Sequence, residues 1–332
     1  MKPEQINKLF RSVDVISSEK KWQMLFEQYL PDYQKWFLSQ GDAARPTYLK
    51  CLQAIKQHMP ELLPSYERVV DLAGGGDLAA RLLSLYCPPP YVSGCTQAVW
   101  TGDEPVLVRN YDYSAERLDG LVLRTHWNDQ SVIAMVDGLW GVLDGINQAG
   151  LAVSLAFGGR LEVGSGFGIP IILRYVLEFC ETTSEAVKVL QRVPSHMSYN
   201  ITMIDRHQRF ATVYITPDRA PVVRQVPIAT NHQGKIEWPK HAWATATLVR
   251  ESAAQQILAN IDATAEGLVQ GFLTPPIYNV RHERGFGTLY TAVYRPETAS
   301  VQYLWPHSQW SFDQDEFNEL QTKVIYSSEQ SL

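Results

Sequence analysis

The chain has 332 residues, enough for one large domain or two ordinary ones. Hydrophobic residues make up 45% and charged residues 19%, a globular profile that excludes disorder as a global state. The net charge of −6 argues against a nucleic-acid protein held mainly by phosphate contacts, and no stretch approaches the roughly 18 apolar residues of a transmembrane helix.

The start, Met1-Lys2-Pro3-Glu4-Gln5-Ile6-Asn7, has no apolar core of a signal peptide, so a soluble, cytoplasmic protein is the expectation. Residues 1 to about 86 read as helical. Trp22, Leu25, Phe26, Tyr29 and Leu30 recur at helical spacing, as do Leu49, Leu52, Ile55 and Met59. Pro31, Pro46, Pro60 and Pro64 punctuate the pattern. Val69-Val70-Asp71-Leu72-Ala73-Gly74-Gly75-Gly76-Asp77 has two readings. It looks like a strand entering the glycine-rich turn of an S-adenosylmethionine-dependent methyltransferase, or like a glycine link between helices. Cys87-Pro88-Pro89-Pro90 cannot continue a helix and is the best boundary in the chain.

Strands follow at 105–113, 121–127, 131–137 and 151–157, separated by Gly and Asp turns. Ile171, Ile172, Tyr175, Val176 and Phe179 then share a helical face. Thr182-Thr183-Ser184-Glu185 fits a capping box that opens a second helix. Strands return at 201–204, 210–215 and around 222–228. Residues from about 247 to 268 look helical, and 288–294 with 300–305 form a hairpin turning at Arg295-Pro296-Glu297-Thr298. Strand runs alternating with helix pairs fit an α+β chain of antiparallel sheets with helices packed outside, and do not fit a doubly wound parallel sheet.

The four cysteines, Cys51, Cys87, Cys95 and Cys180, include no C-x-x-C pair, so a zinc ribbon or a thioredoxin-like motif is excluded. Cys51 and Cys180 sit on apolar helical faces, where buried cysteine is common. A redox pairing of Cys87 with Cys95 has no motive in the sequence. No metal-binding or phosphate-binding motif appears.

Ser93-Gly94-Cys95-Thr96-Gln97, followed by Val108-Arg109-Asn110-Tyr111-Asp112-Tyr113, carries the specific signal. Asp144-Gly145-Ile146-Asn147-Gln148-Ala149-Gly150-Leu151-Ala152-Val153, Ala229-Thr230-Asn231-His232 and Thr288-Leu289-Tyr290-Thr291-Ala292-Val293-Tyr294 follow in order. Over roughly residues 90–315 the chain resembles the isopenicillin N acyltransferase group of cysteine N-terminal-nucleophile hydrolases. Choloylglycine hydrolases and acid ceramidase are more distant relatives of the same kind.

The resemblance implies a four-layer αββα sandwich and autocatalytic cleavage between Gly94 and Cys95. Residues 1–94 would be a helical propeptide or α chain and residues 95–332 the catalytic β chain, the two staying together as a heterodimer. The chemistry suits the residues. A thiolate is a strong nucleophile, and an α-amine, with an ordinary pKa of about 7.7–8.0, is a base poised near neutral pH. Cleavage would give Cys95 both. Gly94 leaves its carbonyl open to close approach.

Asp112 would hold the α-ammonium or the thiol, Arg109 would orient Asp112, and Asn231 would donate to the oxyanion. Arg109 and Asp112 stand three apart, so in a flat strand they point to opposite faces, and both reach Cys95 only if the strand bulges or ends. A second oxyanion donor is expected from a backbone N–H near Phe157-Gly158-Gly159. Arg250 is a candidate for a substrate carboxylate or phosphate, although the Ser-Arg pattern of relatives is replaced upstream by Ala246-Thr247. Asn200 reads as structural. His232 offers a second route, a papain-like Cys–His dyad.

The implied reaction is cleavage or formation of a linear amide through a thioester on Cys95. The implied partner is a small amide or acyl thioester, without nucleic acid or membrane. No cofactor or metal is implied, with acyl-CoA admitted as a co-substrate. Two other classes stay open: the methyltransferase, through Asp71 to Gly76, and a non-catalytic binding protein on the same fold.

Overall fold

The computed structural model describes residues 6–102 and 104–326, so part of the N-terminal stretch read for a signal peptide lies outside it. The chain opens not with a helix but with strand β1 (Ile6–Asp14), followed by α1 (Glu19–Phe37), α2 (Tyr48–His58), α3 (Leu63–Leu72) and α4 (Asp77–Leu83). β1 is hydrogen-bonded on both edges, parallel to β4 (Leu121–Thr125) and antiparallel to the last strand, Gln321–Tyr326. Helical periodicity missed it because Lys8 and Ser12 share the face of buried Phe10, which spoils the apolar alternation of a strand. The glycine-rich turn is the link between α3 and α4. Val69 to Leu72 are helical, so the strand a methyltransferase motif needs is absent, and that reading falls.

After the prolines come β2 (Gly94–Trp100), β3 (Val106–Asp112), β4, β5 (Val132–Asp137), β6 (Gly141–Asn147) and β7 (Ala152–Phe157). α5 (Ile169–Phe179) and α6 (Thr183–Arg192) follow, and α6 opens on the expected capping box of Thr182 and Glu185. β8 (Tyr199–Ile204), β9 (Phe210–Ile215), β10 (Val222–Arg224) and β11 (Ile228–Ala229) precede α7 (Pro239–Ala244), α8 (Thr247–Leu258) and α9 (Ala265–Phe272). The hairpin β12 (Thr288–Arg295) and β13 (Ser300–Trp305), then β14 (Ser308–Phe312) and β15 (Gln321–Tyr326), end the described chain. The single stretch read around 222–228 is two strands in different sheets, and the helix read from 247 to 268 is two helices.

These strands build two sheets flanked by helices. One runs β10-β9-β8-β7-β6-β5-β4-β1-β15 and the other β11-β2-β3-β12-β13-β14. Side chains alternate between the faces of β2 and β3. Cys95, Val99, Leu107 and Tyr111 join the main core, while Ala98, Val106 and Val108 join a second cluster with Ala254 of α8 and Leu268, Val269 and Phe272 of α9. The main core also takes in Trp22, Tyr66 and Leu83 from the first 94 residues. Trp22 Nε1 donates to Leu139 O at 3.0 Å and Trp140 Nε1 to Leu83 O at 2.8 Å, so the two halves share one interior. Among the described residues no helix is long and apolar enough to cross a membrane.

Tyr33 of α1 clasps two carboxylates of the later chain. Its hydroxyl lies 2.8 and 2.9 Å from the oxygens of Asp119 and 2.8 Å from Asp137 Oδ1, and accepts the Gly138 N–H at 2.6 Å. One hydroxyl proton cannot serve two carboxylates, so the pair is expected to hold a further proton at mildly acid pH. Burial pushes Asp137 up to about 6, and burial with the like charge of Asp137 pushes Asp119 well above the usual range. An acid whose pKa is raised on folding binds more protons in the native state, so its contribution to stability is lost as pH rises through the native value. The thermal midpoint should therefore fall as pH rises from about 4 to beyond 6, and Asp137→Asn should flatten that fall in a pH series of melting curves. Equal slopes in the two proteins would refute the shared proton.

Candidate active site

The register of β2 and β3 sorts the expected site residues into two sets. Cys95 is paired with Tyr111 and Gln97 with Arg109, all on the face toward the nine-stranded sheet. Gly94 is paired with Asp112 and Thr96 with Asn110, on the face toward α8 and α9. β3 runs regularly to Asp112, and the register shift lies on β12, between Thr288 and Tyr290. Arg109 and Asp112 therefore stay on opposite faces.

On the inner face the Cys95 thiol is fully buried. Arg109 Nη2 lies 3.6 Å from its sulfur and Ser93 Oγ 3.7 Å away. Burial pushes the thiol up. Asp112 adds to that, while Arg109, Ser93 and Arg250 oppose it. The rest of the Arg109 guanidinium is held by Leu155 O at 3.0 Å, Tyr290 Oη at 2.8 Å and an ion pair with Asp144. Its cation also sits 4.5 Å from the Tyr111 ring centre. Asp144 further accepts from Tyr290 and Tyr294. Arg109 thus orients no carboxylate on the far face. Its partner is Asp144, and its free edge is aimed at the sulfur.

On the outer face Arg250 takes the place expected for Arg109. It is wholly buried, donates to the carbonyl of Cys95, to Thr96 Oγ1 and to Asn231 Oδ1 (2.6 Å), and lies 3.5 Å from Asp112 Oδ2. Its Nε is held by Thr245 O at 2.8 Å. Every nitrogen of the Arg250 guanidinium is thus engaged within the protein. It locks the backbone of Cys95 to the two other site residues. Asp112 also accepts from Thr288 at 2.7 Å. Burial pushes its carboxyl up, against Arg250, Thr288 and Arg109. A Cβ at residue 94 would come within 3.0 Å of Asp112 Cβ, so glycine is what lets the carboxylate press on the residue before Cys95.

Asn231 joins the faces. Its Oδ1 accepts the Cys95 N–H at 3.0 Å, and its Nδ2 reaches Phe157 O at 3.0 Å and Ser93 O at 3.4 Å. Asn200 fixes the loop carrying it, through Thr230 O at 2.7 Å and His232 O at 2.9 Å, in keeping with a structural residue. Gly159, at φ +69°, passes against Asn231 O where a Cβ would stand 2.2 Å away.

The Phe157 carbonyl accepts from Asn231 Nδ2, and the Gly158 N–H donates to Ser198 O at 2.7 Å. His232 lies 3.0 Å from Glu251, and no hydrogen bond joins it to Cys95 among the described residues. All four cysteines are free thiols. Among the described residues no group of three His, Cys, Asp or Glu side chains is gathered for a metal. The sequence assigned no role to Asp144, Tyr290 or Thr288, although all three stand inside the motifs it singled out.

The family model of acyl-coenzyme A:6-aminopenicillanic acid acyl-transferase matches residues 99–310. The chain belongs to that family. The match to the acyl-transferase model starts just after Cys95 and includes Arg109, Asp112, Asn231 and Arg250. No curated protein matches this acyl-transferase family member in sequence. Among solved structures it is similar to penicillin V acylase from Agrobacterium tumefaciens, with 14% identity, 69% of this chain and 90% of that chain covered, and a TM-score of 0.47. It is also similar to a mutant conjugated bile acid hydrolase from Clostridium perfringens (11% identity, 72% and 98% covered, TM-score 0.47). A third is the Caenorhabditis elegans ortholog of N-acylethanolamine-hydrolyzing acid amidase (17% identity, 66% and 99% covered, TM-score 0.45).

Proposed function

We propose that the chain is an acyltransferase or amidohydrolase of the isopenicillin N acyltransferase kind, switched on by cutting itself between Gly94 and Cys95. The observation that carries this reading is the convergence of Asn231, Arg250 and Asp112 on the backbone of Gly94 and Cys95, with the thiol sealed beside Arg109. The sulfur adds to the Gly94 carbonyl carbon, and the Cys95 nitrogen leaves with a proton. Water then hydrolyses the resulting thioester to a Gly94 carboxylate and a free thiol. Cys95 now carries an α-amine at the position where its N–H meets Asn231 Oδ1.

In the cut enzyme the thiol attacks an amide or an acyl thioester such as acyl-CoA, with the α-amine as base. Asn231 Nδ2 donates to the oxyanion, a contribution of roughly 3–4 kcal/mol in comparable sites. Water or an amine takes the acyl group from sulfur. Asp112 and Arg250 position the new terminus, and Arg109 favours the thiolate. Residues 1–94 and 95–332 stay together as the α and β chains of a four-layer αββα sandwich. β1 and the interior shared with Trp22 and Leu83 support that association. Four free thiols suit a reducing, cytoplasmic setting.

Intact mass and N-terminal sequencing of the purified protein test the reading. Two fragments are expected, the larger beginning at Cys95 and gaining an acyl group on incubation with an acyl amide or acyl-CoA. A chain that stays whole while hydrolysing amides would sink the self-cleavage. A cut chain that never carries an acyl group on Cys95 would sink the transfer.

A further inference from the structure

In the proposed self-cleavage the thioester on Cys95 is already an acyl-enzyme, with residues 1–94 as its acyl group. The residues just before Gly94 therefore mark, in the uncut chain, the side on which a later acyl group lies. They form a strap and no regular element. From Pro88 to Ser93 the backbone makes no hydrogen bond to other backbone among the described residues, and Pro88, Pro89 and Pro90 have no N–H to offer. The cut removes the covalent tie to Cys95. Side-chain contacts, Asn231 Nδ2 to Ser93 O at 3.4 Å among them, then hold the strap.

The strap inserts Tyr91 between the strand beside the thiol and the strand beside the oxyanion donor. On one side its ring lies 6.3 Å from that of Tyr113, which lies 5.5 Å from that of Tyr111, and Tyr111 is paired with Cys95 across β2 and β3. On the other side stands Tyr199 of β8, whose phenol burial pushes up and a hydrogen bond from Tyr91 holds down. Tyr199 is paired with Phe157, their rings edge-on at 6.1 Å, and the Phe157 carbonyl accepts from Asn231. The Tyr91 hydroxyl is buried, and burial pushes its phenol up, with Tyr199, Asp137, Tyr111 and Tyr113 close enough to add to the push. Tyr111 is wholly buried, and its hydroxyl has no hydrogen-bond partner among the described residues. Tyr199 Oη otherwise meets the Met197 sulfur, a weak acceptor at 3.9 Å. With Tyr91 withdrawn, these two buried phenols face a vacated slot without a good partner, a state that buried polar groups keep for functional sites.

We propose that the slot of Tyr91 is the acyl pocket of the cut enzyme, and that it selects an aromatic acyl group ending in a hydroxyl, the chemistry of the tyrosine it replaces. The proposal rests on the acyl-transfer reading of Cys95. Tyr113 and Phe157 offer apolar faces to the ring, and Tyr199 and Tyr111 take its polar tip, the usual division of labour in a pocket. The substrate hydroxyl donates to Tyr199, as Tyr91 does in the uncut chain, and accepts from Tyr111. An acyl group lacking the hydroxyl leaves both phenols unpaired, and a site built to bond a substrate hydroxyl rejects such an analogue. In turnover the sulfur–carbon bond forms, the amide C–N bond breaks, and the α-amine passes the thiol proton to the leaving amine. Both tyrosines keep their protons throughout.

The test uses the cut wild type and the p-nitroanilides of 4-hydroxyphenylacetic, 3-(4-hydroxyphenyl)propanoic and 4-(4-hydroxyphenyl)butanoic acids, each against its partner without the hydroxyl. At the best chain length the hydroxyl is expected to raise kcat/KM at least about tenfold. Tyr199→Phe and Tyr111→Phe, checked by intact mass for self-cleavage, are each expected to lower that preference at least about threefold. The proposal is overturned if the hydroxyl gains less than about tenfold at every chain length, a result the wild type gives alone, or if the preference is unchanged in both variants. p-Nitrophenyl butyrate separates the two failures. If it leaves no acyl group on Cys95, the acyl-transfer reading falls and this proposal with it. If Cys95 is acylated by it while none of the anilides is turned over, this proposal alone falls.

Discussion

Cys95→Ala is expected to leave the chain in one piece and to lower acyl transfer by at least about 10⁴-fold, the scale on which loss of a catalytic nucleophile is felt. In the proposed mechanism both losses have one origin, since the sulfur attacks Gly94 and then the substrate. The fold should survive. Removing one buried sulfur opens a small void, costing on the order of 1 kcal/mol, and the Cys95 N–H to Asn231 bond is made by the backbone. Cys95→Ser separates nucleophile strength from geometry. A hydroxyl fits the site but is the weaker nucleophile, so slow cleavage and little turnover are expected. Mass spectrometry over time, with melting curves as the control, reads all three proteins. Cleavage of Cys95→Ala at residue 94 would mean that another protease makes the cut, and retained turnover would remove Cys95 from the mechanism.

Arg250→Leu should be the most damaging change away from the nucleophile. Arg250 is the only cation within ion-pair distance of Asp112 among the described residues, and both side chains are wholly buried. Truncating one member of a buried pair leaves the other charge uncompensated, typically a loss of about 3–5 kcal/mol. Asn231 Oδ1 and the Cys95 carbonyl lose a donor together with it. A fall in melting temperature of about 4–7 °C and loss of self-cleavage are expected. The penalty should shrink at acid pH, because Asp112, already pushed up by burial, then takes a proton. Arg250→Leu with Asp112→Asn should recover part of the stability but not the cleavage, a coupling that a double-mutant cycle measures. Arg250→Lys should rescue poorly, since an ammonium cannot span Asp112, Asn231 and the Cys95 carbonyl at once. An unchanged melting temperature in Arg250→Leu would show that Asp112 is neutral in the folded chain.

Several features of the fold were legible because local physics decides them. The helix α6 opens where Thr182 and Glu185 cap each other, and the hairpin of β12 and β13 turns where Pro296 and its neighbours require it. β1 was not legible, since Lys8 and Ser12 lie on its buried face. Lys8 is drawn there near Asp119 and Asp137, two carboxylates more than a hundred residues away. Such partners leave no trace in a local window.

The site divides the same way. The order and spacing of the motifs around Cys95, Asp112, Asp144 and Asn231 are properties of the sequence alone, as is the alternation that puts Arg109 and Asp112 on opposite faces of a regular strand. The identity of each arginine's partner was beyond it. Arg109 and Arg250 are chemically alike, and only the packing of β6 on one side and α8 on the other gives Asp144 to the first and Asp112 to the second. Sequence fixes which groups a chain can offer and which face each takes in a strand. Pairing across the interior is decided by close packing, because a buried charge or donor is stabilised only by the neighbours folding brings to it.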